Sequence, residues 1–355
     1  MNRAAMPFSW AGRRVLLTGH TGFKGSWLAL WLQRLGAQVS GVALPPPSEP
    51  SLFELARVRE LVSHHEADIR DLAAVHAALQ TEQPELVIHM AAQSLVRPSY
   101  DDPVGTYATN VMGTVHVLEA ARLQPTVKAV LVITTDKCYE NREWPWGYRE
   151  TDPMGGHDPY SNSKGCAELV CSAYRASFMA AQGVALATAR AGNVIGGGDW
   201  ARDRLVPDVL AAFGRGEPVQ LRHPQAVRPW QHVLEPLNGY LMLAQRLLAG
   251  DADAAQAWNF GPRDDDARPV GDVVDELARR WGDDARTAQQ PGDHPHEANW
   301  LKLDTSLARQ RLAWRPRLDL GRALQLTVDW HRGWLAGADA RALTLEQIAS
   351  YEALA

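Results

Sequence analysis

The sequence predicts an α/β protein: a doubly wound parallel sheet with a smaller domain interleaved toward its C-terminal half. Three observations carry this. Short apolar runs alternate with helix-period segments through residues 14–192. A glycine-spaced turn, "TGHTGFKG", joins the first apolar run to the first helix. Beyond about residue 195, glycine and proline cluster in "GGGDW", "GRGEP", "RHPQAVRPW", "GPRDDDARP" and "QQPGDHPHE". Strands apolar on both faces belong to parallel sheets covered by helices on both sides. Residues 1–192 are expected to form the sheet domain, with returning segments near 229–262, and residues 193–355 mainly the smaller domain.

In chain order, "RVLLTG" (14–19) reads as the first strand. "FKGSWLALWLQRLG" follows as a helix whose Trp27, Leu28, Leu30, Trp31, Leu32 and Leu35 make a broad apolar face. "AQVSGVAL" is the second strand, stopped by "PPPSEP", and "ELVIHMAA" (85–92) is the next clear one. "VGTYATNVMGTVHVLEAARL" is helical and "VKAVLVITT" a buried strand. "PYSNSKGCAELVCSAYRASFMAAQG" is a long helix, and "VALATARAGNV" closes the series. In such sheets ligands bind beyond the carboxyl ends of the strands, where the strand order reverses.

Composition excludes several classes. The chain has 355 residues, 46% hydrophobic and 22% charged, with a net charge of −5 and no basic run. It carries no electrostatic footprint for nucleic acid. No stretch approaches 18 uninterrupted apolar residues, and "MNRAAMPFSWAGRR" lacks the apolar core of a signal peptide, so a cytoplasmic protein without membrane spans is expected. Cys138, Cys166 and Cys171 are then expected to be free thiols. Only five of the 36 basic residues are lysines: Lys24, Lys128, Lys137, Lys164 and Lys302. In so arginine-rich a chain a lysine draws interest as a chemical amine.

Gly19, Gly22 and Gly25 are spaced G-x-x-G-x-x-G after the first strand and at the start of a helix. Backbone N–H groups and the helix N-terminus can there approach a pyrophosphate. The acidic residue that usually holds an adenosine ribose at the end of the second strand is missing, since no Asp or Glu occurs before Glu49. The ribose is expected to rest on backbone or Ser48, with weaker binding. Asp68, in "ADIRD", is either an acceptor for an adenine amino group or a helix N-cap. Tyr160 and Lys164 in "YSNSK" stand at i and i+4 on one helix face. An ammonium beside a phenol lowers its pKa from about 10 toward neutrality, giving a base for an alcohol that is losing hydride.

With these motifs, "HMAAQ", Asn110 and Thr135 in order along the chain, the sequence resembles the extended short-chain dehydrogenase/reductase family over essentially its whole length. The resemblance implies a Rossmann-type fold binding NAD, and a catalytic set of Thr135, Tyr160 and Lys164. It implies cofactor contacts from Gly19, Thr21, Gly22, Phe23, Lys24, Gly25, Asp68, Ile69, Ala91, Ala92, Gln93, Asn110, Tyr160 and Lys164. Lys24 stands where many relatives carry an apolar residue and either touches a cofactor phosphate or crowds it.

Within that family, "TTDK" (134–137) separates the branches. Epimerases place small or neutral residues after the Ser/Thr. Sugar-nucleotide 4,6-dehydratases place an acid and a base there, Thr-Asp-Glu in the dTDP-glucose enzymes. Here the triplet is Thr135-Asp136-Lys137. With "KCYENREWPWGYRE", "DPYSNSKGCAELV", "RAGNVIGGGDWARDRLVPD", "RPWQHVLEPL", "NFGPRDDDA" and "HPHEANWLKLD", it resembles the CDP-glucose 4,6-dehydratases. Asp136 is then the acid for a departing C6 hydroxyl, which needs a carboxyl protonated through a raised pKa. Lys137 is the base at C5, if its pKa falls toward about 7–8, or else a cation stabilising an enolate while another group is the base.

The resemblance places Asn193, Arg202, Leu205, Arg228, His294 and His296 at a sugar nucleotide, CDP-glucose. Arginine forks suit its diphosphate, although Arg202 and Arg228 could equally be solvated loop residues. His294, His296 and Glu297 lack a further ligand in range, so no metal centre is expected. A homodimer formed through helices near 103–123 and 159–182 is also implied. The open alternatives are a 4,6-dehydratase of another nucleotide-glucose, a 4-epimerase, and an NAD-sensing binding protein on the same fold.

Overall fold

The computed structural model describes residues 8–221, 224–282, 285–289 and 300–354. Its strands in chain order are β1 (Arg14–Thr18), β2 (Gln38–Ala43), β3 (Ser63–Glu66), β4 (Leu86–His89), β5 (Ala129–Ile133), β6 (Ala185–Ala191), β7 (Asn193–Ile195), β8 (Pro218–Leu221), β9 (Val227–His232), β10 (Ala257–Phe260), β11 (Ala267–Pro269) and β12 (Arg286–Gln289). Seven of them form one wholly parallel sheet in the order β10-β6-β5-β4-β1-β2-β3. The order reverses between β1 and β4, so a crevice opens beyond their carboxyl ends.

The strands obey the apolar rule that predicted them. Every residue of β5, "AVLVI", is buried, as is every residue of β4. Each fully buried Val, Leu or Ile contributes about 1.5–3 kcal/mol relative to exposure. Helices Phe23–Arg34 and Leu234–Leu248 cover one face, bringing Trp27, Leu28, Leu237 and Tyr240 onto Val15, Leu131 and Ala189. Helices Leu72–Glu82 and Gly113–Leu123 cover the other, with Val75, Leu79, Val117 and Leu118 against Leu16, Val87 and Val130.

The smaller lobe contains the three-stranded sheet β11-β9-β7 and the parallel pair β12-β8. Its core joins Val206, Leu210 and Phe213 to Val274, Leu277 and Val328. The lobes interlock at residues 196–200. The indole Nε1 of Trp27 donates to the Gly197 carbonyl at 2.9 Å. A Cβ at Gly197 would lie 2.0 Å from Trp330 Cγ, so that loop is glycine because the Leu320–Leu335 helix lies directly upon it.

Candidate active site

The turn after β1 is built without room for side chains. Gly19 has φ +74°, and a Cβ there would meet Ala91 backbone at 2.7 Å; one on Gly25 would lie 2.2 Å from the Gly19 carbonyl oxygen. The Phe23–Arg34 helix starts at Gly22 with no side-chain cap and no acid in its first turn. Its N-terminus therefore suits an external anion, and the bare turn fits a dinucleotide pyrophosphate. Thr21 is tied back by donating to the Leu44 carbonyl at 2.9 Å, and Phe23 is half-buried.

Beyond β2 the ribose expectation meets a different arrangement. The Ser48 hydroxyl is engaged by the Pro50 carbonyl (2.9 Å). His20, unremarked in the sequence, is fully buried beneath Gly41, where a Cβ would strike its Nδ1, and its Nε2 meets His64 Nδ1 at 2.7 Å. Asp71, not Asp68, caps the Leu72–Glu82 helix. Asp68 instead accepts from Arg70, whose guanidinium bonds hold its carboxyl below the usual range. Ile69 is buried and its carbonyl meets His116 Nδ1.

The loop after β4 is fixed from both sides. Thr18 Oγ1 accepts from the Met90 and Ala91 amides at 3.1 Å each. Beyond the half-buried Ala92, Asn110 accepts from Gln93 N–H and donates to Gln93 C=O, both at 2.9 Å. Asn110 lies in a π-helical turn, Ala108–Met112, and also donates to Ser163 Oγ, which donates to the Tyr160 carbonyl. Such local widening of a helix is frequent at functional sites.

The catalytic candidates meet at the end of β5. Asp158 caps the Pro159–Tyr174 helix, and that helix lays Tyr160 and Lys164 against the strand end, with Lys164 Nζ donating to the Ile133 carbonyl at 3.2 Å. Thr135 starts a short 3-10 turn, Asp136–Cys138, accepting from Lys137 N–H and donating to Asp136 Oδ1 at 3.0 Å. Asp136 is 1% exposed, and its Oδ2 has no hydrogen-bond partner among the described residues. Burial raises its pKa, against the opposing pull of Lys137, Thr135 and Arg228. Lys137 is half-buried beside it.

The depressed phenol expected from the Tyr160–Lys164 spacing is corrected here. Burial pushes the Tyr160 pKa up to about 12, with Thr135 and Arg204 pulling the other way. Lys164 itself is lowered to about 8 by burial, opposed by Cys171, Glu168 and Cys138. Helical spacing set the two side chains on one face, but the strand end took the ammonium's hydrogen bond. Lys24 is lowered to about 7 by burial, with Arg204 and Lys164 acting in the same sense and Asp136 and Asp199 against it. Its Nζ lies 5.9 Å from the centroid of the Tyr240 ring, so this lysine leaves the glycine turn toward the catalytic end.

Of the substrate candidates, Arg228 is 8% exposed on β9 and within the electrostatic reach of Asp136. Asn193 is half-buried on β7, and Leu205 begins the Leu205–Gly214 helix. Arg202 is exposed. Its neighbour Arg204, which sequence reasoning missed, bonds Asp199 at 2.9 Å and Ser94 Oγ at 3.1 Å, and its charge reaches both Tyr160 and Lys24. The available signal was its place immediately before Leu205, at the N-cap of that helix. His294 and His296 lie outside the described residues. Among the described residues no group of three or more His, Cys, Asp or Glu could hold a metal ion, and all three cysteines are free.

A helix-lined crevice with an anion-ready turn, a phenol, an ammonium and a buried carboxyl with one oxygen unpartnered among the described residues suits oxidation of an alcohol followed by proton shuffling. Comparison with known proteins agrees with that chemistry. The CDP-glucose 4,6-dehydratase of Salmonella typhimurium is 54% identical over 96% of this chain and 97% of its own length. A dTDP-glucose 4,6-dehydratase of Xanthomonas campestris is 27% identical over 94% and 98%. The solved UDP-glucose 4-epimerase of Thermus thermophilus in complex with NAD superposes with a TM-score of 0.76 at 26% identity, covering 90% of this chain and 99% of that one. The GDP-mannose 4,6 dehydratase family model matches residues 16–327, and it is to this family that the chain belongs.

Proposed function

We propose that the protein is an NAD-dependent CDP-glucose 4,6-dehydratase, a hydro-lyase that converts CDP-glucose to CDP-4-dehydro-6-deoxyglucose and water. The single observation that carries the dehydratase chemistry is Asp136, buried, raised in pKa and unpartnered at Oδ2 beside Lys137. A 4-epimerase returns hydride to C4 and needs no such acid. The choice of CDP-glucose is supported by the 54% identity to the Salmonella enzyme, against 27% to a dTDP-glucose one.

NAD, when bound on the Gly19–Gly25 turn, supplies the acceptor for hydride from C4 and the donor that later returns it to C6. Tyr160, as its phenolate, takes the C4 hydroxyl proton, with Thr135 beside its oxygen and Lys164 one helical turn on. The 4-ketone acidifies the C5 hydrogen, which Lys137 removes. Asp136, protonated, gives its proton to the C6 oxygen, which leaves as water. Lys137 returns its proton to C5, and the proton gained by Tyr160 passes through solvent to restore Asp136, so the cycle closes with no net oxidation. Arg204, the N-terminus of the Leu205–Gly214 helix and Arg228 are the diphosphate partners, and Asn193 and Leu205 line the same side.

A homodimer is part of the proposal. Tyr100, Val104, Met112, Leu123, Leu169 and Phe178 are exposed apolar residues on the segments 96–123 and 159–179, a density suited to a second copy of the chain. So is a cytoplasmic location; no helix among the described residues is long and apolar enough to cross a membrane. We place the product at the entry to bacterial deoxysugars of the O-antigen type. The test is to give protein and NAD separately to CDP-glucose, dTDP-glucose, UDP-glucose and GDP-mannose and weigh the products. Loss of water from CDP-glucose alone supports the whole reading. Loss from another keeps the mechanism and overturns the nucleotide, and an epimer without mass change overturns the role of Asp136 and Lys137.

A further inference from the structure

Behind the catalytic strand end lies a second, wholly buried polar assembly that the reaction does not touch. Glu168 follows Tyr160 and Lys164 at the same four-residue interval on one helix face, and it is 5% exposed. Its carboxylate accepts from Arg190 Nε at 2.9 Å and Nη2 at 2.8 Å, from Thr188 at 2.7 Å, and from Thr134. Four bonds saturate a carboxylate. Arg190, on β6 and 3% exposed, spends its other Nη on the Tyr139 hydroxyl at 2.6 Å and the Glu150 carbonyl at 3.2 Å. Tyr139 in turn donates to Asn259 Oδ1 at 2.7 Å on β10.

The two ends of the catalytic triplet are thereby clamped. Thr134 immediately precedes Thr135, and Tyr139 follows the Asp136–Cys138 turn. Both are held by one ion pair whose acid sits a single helical turn beyond Lys164. A buried pair of this kind is weak evidence of stability, since apolar residues of similar volume often serve as well or better. Its geometry is better explained by what it aligns.

We propose that Glu168 and Arg190 are positioning residues for the dehydration chemistry, fixing the Thr135–Lys137 segment against the Tyr160–Lys164 helix and keeping a negative charge beneath Lys164. The inference rests on the function proposed above. In support, burial alone would lift the Glu168 pKa, and Arg190 with the two threonine hydroxyls outweighs it to keep the group ionised. That carboxylate opposes the lowering of Lys164.

The test uses the full chain with NAD. Thr134→Val removes one clamp bond without burying an unpaired charge, and Thr134→Ser restores it. The expected outcome is a fall in kcat of about 10²-fold for valine with little change in KM, and near wild-type kcat for serine, as a small misplacement of catalytic groups produces. The double variant Glu168→Gln/Arg190→Met removes both charges together. Of the pair it is Glu168 and not Arg190 that acts on Lys164, so in the double variant Lys164 loses its proton at lower pH and the alkaline limb of kcat moves to lower pH, which a merely structural role would not do. A limb that superposes on wild type, or a valine variant with unchanged kcat, overturns the proposal. If the wild type turns over none of the four sugar nucleotides, the function above fails, and amide hydrogen exchange judges the clamp alone. Protection of segments 134–139 and 159–170 should then fall about tenfold in the Thr134→Val variant, and unchanged protection refutes it.

Discussion

Asp136→Asn should make the protein more stable and less active at once. The wild-type carboxyl is 1% exposed, and one of its oxygens has no partner among the described residues. Its pKa is raised, first by burial. A carboxyl raised on folding contributes stability that is complete below its unfolded pKa, near 4, and is lost as pH rises through its folded value. At pH 7–8 the wild type therefore carries the cost of this group, and asparagine, which cannot ionise, does not. The amide oxygen still accepts from Thr135, in place of the present 3.0 Å bond. Relief of an active-site strain of this kind is worth about 0.5–2 kcal/mol, roughly 1–3 °C in Tm for a chain of this length, and the advantage should vanish as pH falls below about 4. Activity moves the opposite way. Without a proton to give the C6 oxygen, dehydration should fall by about 10²–10⁴-fold, or about 3–5 kcal/mol of barrier. The C4 oxidation does not use this acid, so 340-nm absorbance should still rise on mixing with CDP-glucose. Thermal melts at pH 5 and 8 together with product mass measure both halves. Dehydration within a few-fold of wild type refutes the acid role, and a Tm lowered at pH 8 refutes the electrostatic account.

Three further outcomes follow from the same geometry. Tyr160→Phe should abolish dehydration and the 340-nm signal together, and a surviving signal would remove Tyr160 from the C4 step. Lys137→Ala should keep the signal but lose product by about 10²-fold or more; dehydration near the wild-type rate would return Lys137 to the status of a bystander. Lys24→Met should be stabilising at pH 6, because the wild-type ammonium is held at a folded pKa of about 7 by burial. A depressed folded pKa means stability is recovered as pH rises from about 7 toward the unfolded value near 10.4, so the variant's advantage should shrink across that window. Melts that differ equally at pH 6 and pH 10 would contradict it.

Sequence made the architecture legible for identifiable reasons, and it named Thr135, Asp136, Lys137, Tyr160 and Lys164, which the fold gathers at the end of β5. Wholly apolar runs such as "AVLVI" leave no polar face, so a sheet covered on both sides is the consistent solution. The glycine spacing marked a turn in which Cβ atoms at Gly19 and Gly25 have no room. The electrostatics were less legible. A four-residue interval fixes which face Tyr160 and Lys164 share, but burial and the hydrogen bond to Ile133 depend on elements distant in sequence, and they pushed the phenol up rather than down. Arg204 turns inward and Arg202 outward, a difference that sequence could not show because a loop has no periodicity by which to tell an inward side chain from an outward one. Glu168 and Arg190 belong to no sequence motif, and only the packing of β6 against the Pro159–Tyr174 helix brings them together.

The pairing of an acid with an amine at the end of β5 can now be understood as a consequence of where the strand stops. The carboxyl end of a central parallel strand is the one place where backbone leaves the sheet into a crevice already screened from water by helices on both faces. A residue set there is buried by its neighbours' cores rather than by its own partners. Asp136 is accordingly desolvated with only Oδ1 satisfied among the described residues: just past the end of β6 lies Gly192, where a Cβ would stand 3.0 Å from its Oδ2. Any side chain at 192 would press on that oxygen, so the glycine leaves it the approach that the proposed acid role needs. Lys137, one residue on in a 3-10 turn, is carried to a less buried position. Adjacent residues in an extended strand would point to opposite faces. The turn nucleated by Thr135 breaks that alternation, and in the mechanism proposed above it brings both to one substrate on a segment held at Thr134 and Tyr139.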